Sequence, residues 1–167
     1  DWDWVIGYNL NSMFFLTQAM ARELRAQRRP GSLVSISSIS GLTATPFHIG
    51  YGAAKAAVIS VVKTMALELA ADNIRVNSVA PGAIATPTAG VGPDHARDRW
   101  AVPMARQGRA DEVASAALFL LSDMSSYMTG QCLAVDGGVS VKWSHLDEDN
   151  CPAYARDRSY LEGWRRS

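Results

Sequence analysis

The sequence predicts an α/β protein built on a parallel sheet, and three observations carry that expectation. Short apolar runs closed by turn residues, such as Gly31-Ser-Leu-Val-Ser-Ile-Ser-Ser38 and Asn73-Ile-Arg-Val-Asn-Ser-Val-Ala-Pro-Gly82, read as buried strands. Longer stretches of helical spacing separate them, and strands alternating with helices imply βαβ units. The 167 residues are 48% hydrophobic and 19% charged, enough apolar material for one ordinary core.

In chain order, Met13, Leu16, Thr17, Met20 and Leu24 recur at helical spacing, predicting an amphipathic helix over 3–29 that Pro30-Gly31 stops. A strand follows over 32–37, then a loop over 38–49 carrying Gly41 and Pro46. A long helix of Ala, Val, Met and Leu spans 50–71 and ends near Asp72-Asn73. Its broad apolar faces suit burial against both a sheet and another subunit. A strand over 74–80 closes in Pro81-Gly82, and 83–110, rich in Pro, Gly and charge, reads as a loop or short helices. Asp111 and Glu112 stand in the first turn of a helix reaching about Ser122, as the helix dipole favours. The last strand covers 131–135 before Asp136-Gly-Gly138.

Charge and composition exclude several partners. Sixteen basic residues balance sixteen acidic ones, without a basic block for nucleic acid or an anionic membrane. No apolar run approaches a membrane span and no secretory core is visible, so the expected location is cytoplasmic. Cys132 and Cys151 make no disulfide framework, Cys132 being expected as a small buried hydrophobe. His48, His95 and His145 lack metal-ligand spacing, so no metal is expected.

The chemistry concentrates in Tyr51-Gly-Ala-Ala-Lys55. Residues four apart share a helix face, so the ammonium can sit beside the phenol and favour its ionised form. A phenol so tuned suits proton transfer in alcohol–carbonyl interconversion. Ser38 stands at a predicted strand end, where ligands of open α/β sheets bind.

These segments resemble the short-chain dehydrogenase/reductase family, in its short single-domain branch. The matching stretches are Trp4-Val-Ile-Gly-Tyr-Asn9-Leu, Leu33 to Ser38, Tyr51 to Lys55, Ile74 to Gly82, Thr86, Arg106-Gln-Gly, Glu112-Val-Ala and Val135-Asp-Gly-Gly138. They run in family order from about the first residue to 140. The resemblance implies a Rossmann-like doubly wound parallel sheet, present as its C-terminal part over 1–140, with an extension over 141–167. It implies an NAD(P)-dependent oxidoreductase that interconverts a secondary alcohol and a ketone, such as carrier-bound 3-oxoacyl groups or hydroxysteroid-like cyclic alcohols. Tyr51 would exchange the proton, Lys55 would tune it and bond the nicotinamide ribose, and Ser38 would steady the substrate oxygen. Ser37 and Ser40 compete with Ser38, and the thirteen-residue offset to Tyr51 selects Ser38. Asn9 would hold a relay water behind Lys55, its frame preferring it to Asn11. Pro81, Gly82, Ile84 and Thr86 would contact the nicotinamide of NAD or NADP. Ile39, Ser40, His48 and Ala83 would join Ser38 in contacting substrate, on loops Ile39 to His48 and Ala83 to Arg99. Asn77 and Asp136 look structural. A homotetramer is implied through the two long helices.

The chain also departs from the family pattern. No glycine-rich turn precedes the Tyr51 helix, and Gly90-Val-Gly92 follows no strand. The sequence opens at Asp1 within what the family would make its fourth helix, so roughly a hundred further residues of a first βαβαβ half are expected upstream. Ala110 replaces the family's usual proline, which is expected to loosen a loop. The tail holds Trp143, Tyr154, Tyr160 and Trp164, aromatic content that argues against disorder. The alternative function is a non-catalytic or inactive Rossmann-like fragment used for binding or assembly.

Overall fold

A computed structural model describes residues 1–86, 98 and 101–142. Helix α1 (Trp2–Ile6) passes through a π-helical turn (Gly7–Asn11) into α2 (Ser12–Ala26). The expected single helix over 3–29 is therefore interrupted and ends earlier. Arg28 takes a left-handed φ of 52°, and the backbone before Pro30 is barred from continuing the helix. Strand β1 (Gly31–Ile36) follows, then a 3₁₀ turn (Ile39–Gly41) and α3 (Ile49–Leu69). A 3₁₀ turn (Ala70–Asp72) and left-handed Asn73, φ 57°, reverse the chain into β2 (Ile74–Pro81). Two-residue strands β3 (Ile84–Ala85) and β4 (Gly108–Arg109) precede α4 (Ala110–Leu121), and β5 (Cys132–Val135) follows.

The main sheet is parallel, in the order β1-β2-β5. Its register pairs Gly31 with Ile74 through Ile36 with Val79, and Ser78 with Cys132 through Pro81 with Val135. Alternate residues of a strand face opposite sides, and the two sides are covered differently. Register partners Leu33 and Val76 join Ile74, Ala21, Val58, Val62, Met65, Ala66 and Leu69 in a cluster beneath α2 and α3. Partners Ser32 and Arg75 face α4, both donating to the Leu120 carbonyl, at 2.8 and 2.9 Å. Arg75 also bonds the Ser122 and Met128 carbonyls and Ser125 Oγ, so one guanidinium satisfies acceptors that a helix end leaves open. Asn77, fully buried, ties β2 to the strand-entry loop through the Met128 carbonyl and the Gln131 N–H. Cys132 is half-buried rather than buried, because β5 lies at a sheet edge.

Because the three strands are parallel, their carboxyl ends share one edge. Ser37 and Ser38, the Pro81-Gly82 turn and Asp136 all leave the sheet there. Among the described residues no helix is long and apolar enough to cross a membrane, and no His/Cys/Asp/Glu group could hold a metal ion.

Candidate active site

A cleft of about 390 Å³ opens at that carboxyl edge, lined by Ile36, Ser37, Ser38, Tyr51, Lys55 and the turn residues Pro81, Gly82, Ile84 and Thr86. Ala110 and Val113 complete its lining. Seven residues singled out in the sequence thus meet in one place, although they come from the loop after β1, from α3 and from the stretch between the end of β2 and Thr86.

Ser38 is in extended conformation at the mouth of the 3₁₀ turn, with only 8% of its surface exposed. Its Oγ accepts the Ser40 N–H at 3.1 Å, so the hydroxyl proton is left to donate into the cleft. Ser37 has another task. It is 2% exposed, and its Oγ donates to the Lys55 carbonyl at 2.8 Å, binding the strand end to the helix that carries Tyr51 and Lys55. Gly41 tightens the same junction. A Cβ there would lie 2.6 Å from the Lys55 carbonyl carbon and 2.7 Å from the Ala56 nitrogen, so only glycine permits this approach.

Lys55 Nζ stands 5.5 Å from the centre of the Tyr51 ring and donates to the Ile36 carbonyl at 3.1 Å. Burial pushes the Lys55 pKa below its ordinary value. Of the alanines beside Lys55, Ala54 is buried, whereas Ala53 and Ala56 are exposed. Ala54 turns toward the core side of α3, in line with Val58 and Val62.

Lys55 and Ile36 also line a second groove, about 450 Å³, that runs along β1 past Tyr8, Asn9, Ser12 and Met13. Asn9 lies in the π-helical turn, half-buried, and its Nδ2 donates to the Val5 carbonyl at 3.0 Å. A π turn leaves the regular i−4 pattern and is frequent at functional sites. Asn11, the rival asparagine, is exposed. A groove between α2 and α3, about 420 Å³, lies away from Tyr51 and contains none of these groups.

Ile39, Ser40, Ala83 and His48 do not line the cleft. Ser40 is occupied with Ser38, and His48 is exposed at the start of α3 with Nδ1 on the Pro46 carbonyl. Residues 87–97, 99 and 100 of the second loop lie outside the described residues, as do His95, His145, Cys151, Gly90-Val-Gly92 and the aromatic tail.

The turn after β2 is fixed from two sides. Gly82 N–H donates to the Val135 carbonyl, and a Cβ on Gly82 would strike Asp136 at 2.8 Å. Asp136 itself accepts the N–H groups of Gly138 and Ser140, and despite its burial these bonds hold its carboxyl below the usual range. Sequence reading assigned no place in the cleft to Ser37, known there only as a rival of Ser38, to Ala110, noted only as a missing proline, or to Val113. It placed Gly41 in a loop without its contact to the Lys55 backbone.

Comparison with known proteins adds lineage to this geometry. A family model described as enoyl-(acyl carrier protein) reductase matches residues 1–140. The chain is 46% identical over 143 residues to 3-oxoacyl-[acyl-carrier-protein] reductase of Thermotoga maritima, covering 84% of this chain and 58% of that protein. Among solved structures, acetoin dehydrogenase of Salmonella typhimurium superimposes with a TM-score of 0.81 at 36% identity, covering 87% of this chain and 58% of that one. A 4-hydroxyisoleucine dehydrogenase complexed with NADH gives a TM-score of 0.76 at 32% identity, covering 83% and 59%. The chain therefore spans less than two thirds of the length of these relatives.

Proposed function

The chain belongs to the short-chain dehydrogenase/reductase family, and on that premise we propose that the full-length protein is an NAD(P)-dependent oxidoreductase interconverting a secondary alcohol and a ketone. The carrying observation is the convergence of Ser38, Tyr51 and Lys55 with the Pro81–Thr86 turn in one cleft. Hydroxyl donors and an ammonium there suit an oxygen that gains and loses charge during reaction.

In this reading the Ser38 hydroxyl donates to the substrate oxygen, as its uncommitted proton allows. Tyr51 takes the hydroxyl proton of an alcohol or returns it to a forming alkoxide. Lys55 keeps the phenol's surroundings cationic. Asn9, on the groove that also reaches Lys55, would hold water linking the ammonium to solvent. The cleft fits the nicotinamide end of a dinucleotide: Tyr51 and Lys55 would meet the ribose, and Pro81, Gly82, Ile84 and Thr86 the carboxamide. Bound there, the nicotinamide supplies the hydride acceptor or donor. The domain assignment proposed with this function is a Rossmann-like unit over 1–140 followed by an extension. Cytoplasmic placement and a homotetramer complete the reading, the latter supported by apolar residues exposed on α2 and α3, among them Phe15 and Leu67.

The reductase of Thermotoga maritima and the acetoin dehydrogenase suggest two substrate groups, 3-oxoacyl thioesters and small hydroxyketones. The test is to supply the purified full-length protein with NADH or NADPH and both ketone groups, following cofactor absorbance. Turnover of a ketone from either group supports the reading. Cofactor binding without turnover of any ketone, or of any secondary alcohol in reverse, would favour the non-catalytic alternative.

A further inference from the structure

Ile84 and Thr86 reach the cleft from a small assembly whose supporting groups, outside the cleft, have no part in the proposed chemistry. Strand β3, which carries Ile84 into the cleft next to Thr86, pairs among the described residues only with β4, Ile84 against Gly108 and Ala85 against Arg109. Gly108 N–H donates to the Ala83 carbonyl at 2.9 Å, and a Cβ on Gly108 would lie 2.7 Å from Ile84 Cδ1. Two-residue strands have little stability of their own. Glu112 gives β4 side-chain support. Its Oε1 accepts Arg106 Nη2 at 2.7 Å, and its Oε2 accepts Arg106 Nη1 at 2.9 Å and the Arg109 N–H at 2.8 Å. A bidentate guanidinium pair and a backbone bond thus brace both flanks of Gly108-Arg109, and the same helix turn brings Ala110 and Val113 to the cleft wall.

We infer that Glu112, through Arg106 and the Arg109 N–H, is a positioning residue that sets the β3–β4 pair against the cleft and thereby fixes the nicotinamide-facing turn. The inference rests on the proposed function, since it assumes that the turn receives that ring. Glu112 does not line the cleft; it acts through β4 on Ile84 and Thr86. Its carboxyl is held at about 2 by Arg106 and by the Arg109 N–H, so the brace stays charged at neutral pH.

The test uses the full-length protein and reads the Kd for NADH and NADPH by nicotinamide fluorescence, with the melting temperature measured in parallel. Glu112→Gln and Arg106→Ala should each weaken the preferred cofactor about tenfold, the factor that ~1.4 kcal/mol represents, and Arg106→Lys should recover part of the loss. Ser125→Ala, a change at the other end of α4 among the Arg75 bonds, serves as the control for general destabilisation. It should lower the melting temperature and leave the cofactor Kd within about twofold. Unchanged Kd in both brace variants, or an equal loss in Ser125→Ala, overturns the inference while leaving the proposed function standing. A wild-type protein that binds neither cofactor overturns both.

Discussion

Gly41 and Ser37 set the distance between the serine loop and the tyrosine helix, and each makes a measurable demand. The atoms nearest a Cβ at Gly41 would be main-chain atoms of Lys55 and Ala56, none of which can rotate away. Gly41→Ala should therefore cost ~1–3 kcal/mol, the range of overpacked sites, and separate Ser38 from Tyr51. Turnover of the full-length protein should fall by up to about a hundredfold, as displacements near 1 Å can cause. Denaturant unfolding and steady-state kinetics on one preparation would check both, and an unchanged kcat would mean that this contact does not govern the site. Ser37→Ala removes a buried hydroxyl bond to the Lys55 carbonyl and should destabilise by about 1–3 kcal/mol. Ser37 was legible only as a rival to Ser38. Both line the cleft, and adjacent hydroxyls look alike until the fold commits one of them to the Lys55 carbonyl.

Strands β1 and β2 and helix α3 were legible to within one or two residues, because apolar runs bounded by Pro, Gly and Asn have few other solutions. The π turn at Gly7–Asn11 was not, since one extra residue in a helix barely disturbs the apolar period. Strands β3 and β4 were also hidden. Two-residue strands have no periodicity, and their pairing joins segments some twenty positions apart. The brace that holds them carries a pH signature. Glu112 has its pKa lowered to about 2 by Arg106 and the Arg109 N–H, and Asp111 is lowered by Arg109. A depressed carboxyl stabilises the fold above its unfolded pKa, and that contribution is lost as pH falls through the folded value. The contribution of Glu112 should therefore persist at pH 5 and disappear toward pH 2. Melting temperature against pH should fall less steeply below pH 5 in Glu112→Gln than in the wild type. Parallel curves would show that the pairs seen here do not persist in solution.

At the scale of the whole molecule, sheet order was the part that sequence could not supply, because alternating strands and helices fit several orders. The apolar surface was easier to anticipate. Leu67 is 81% exposed on α3 and Phe15 61% exposed on α2, and burial between subunits gains ~25 cal/mol per Å². Leu67→Glu should accordingly shift the full-length protein toward smaller species in sedimentation, whereas an unaltered distribution would place the subunit contact elsewhere. The account as a whole turns on one oxygen atom, the Tyr51 hydroxyl beside Lys55. Its most direct test is single-turnover hydride transfer in the full-length protein with cofactor already bound, comparing wild type with Tyr51→Phe. Loss of the hydroxyl should slow that step by ~10²-fold or more, the scale of a removed general acid/base, with cofactor Kd within about twofold of wild type. A Tyr51→Phe variant that transfers hydride at close to the wild-type rate would contradict the account.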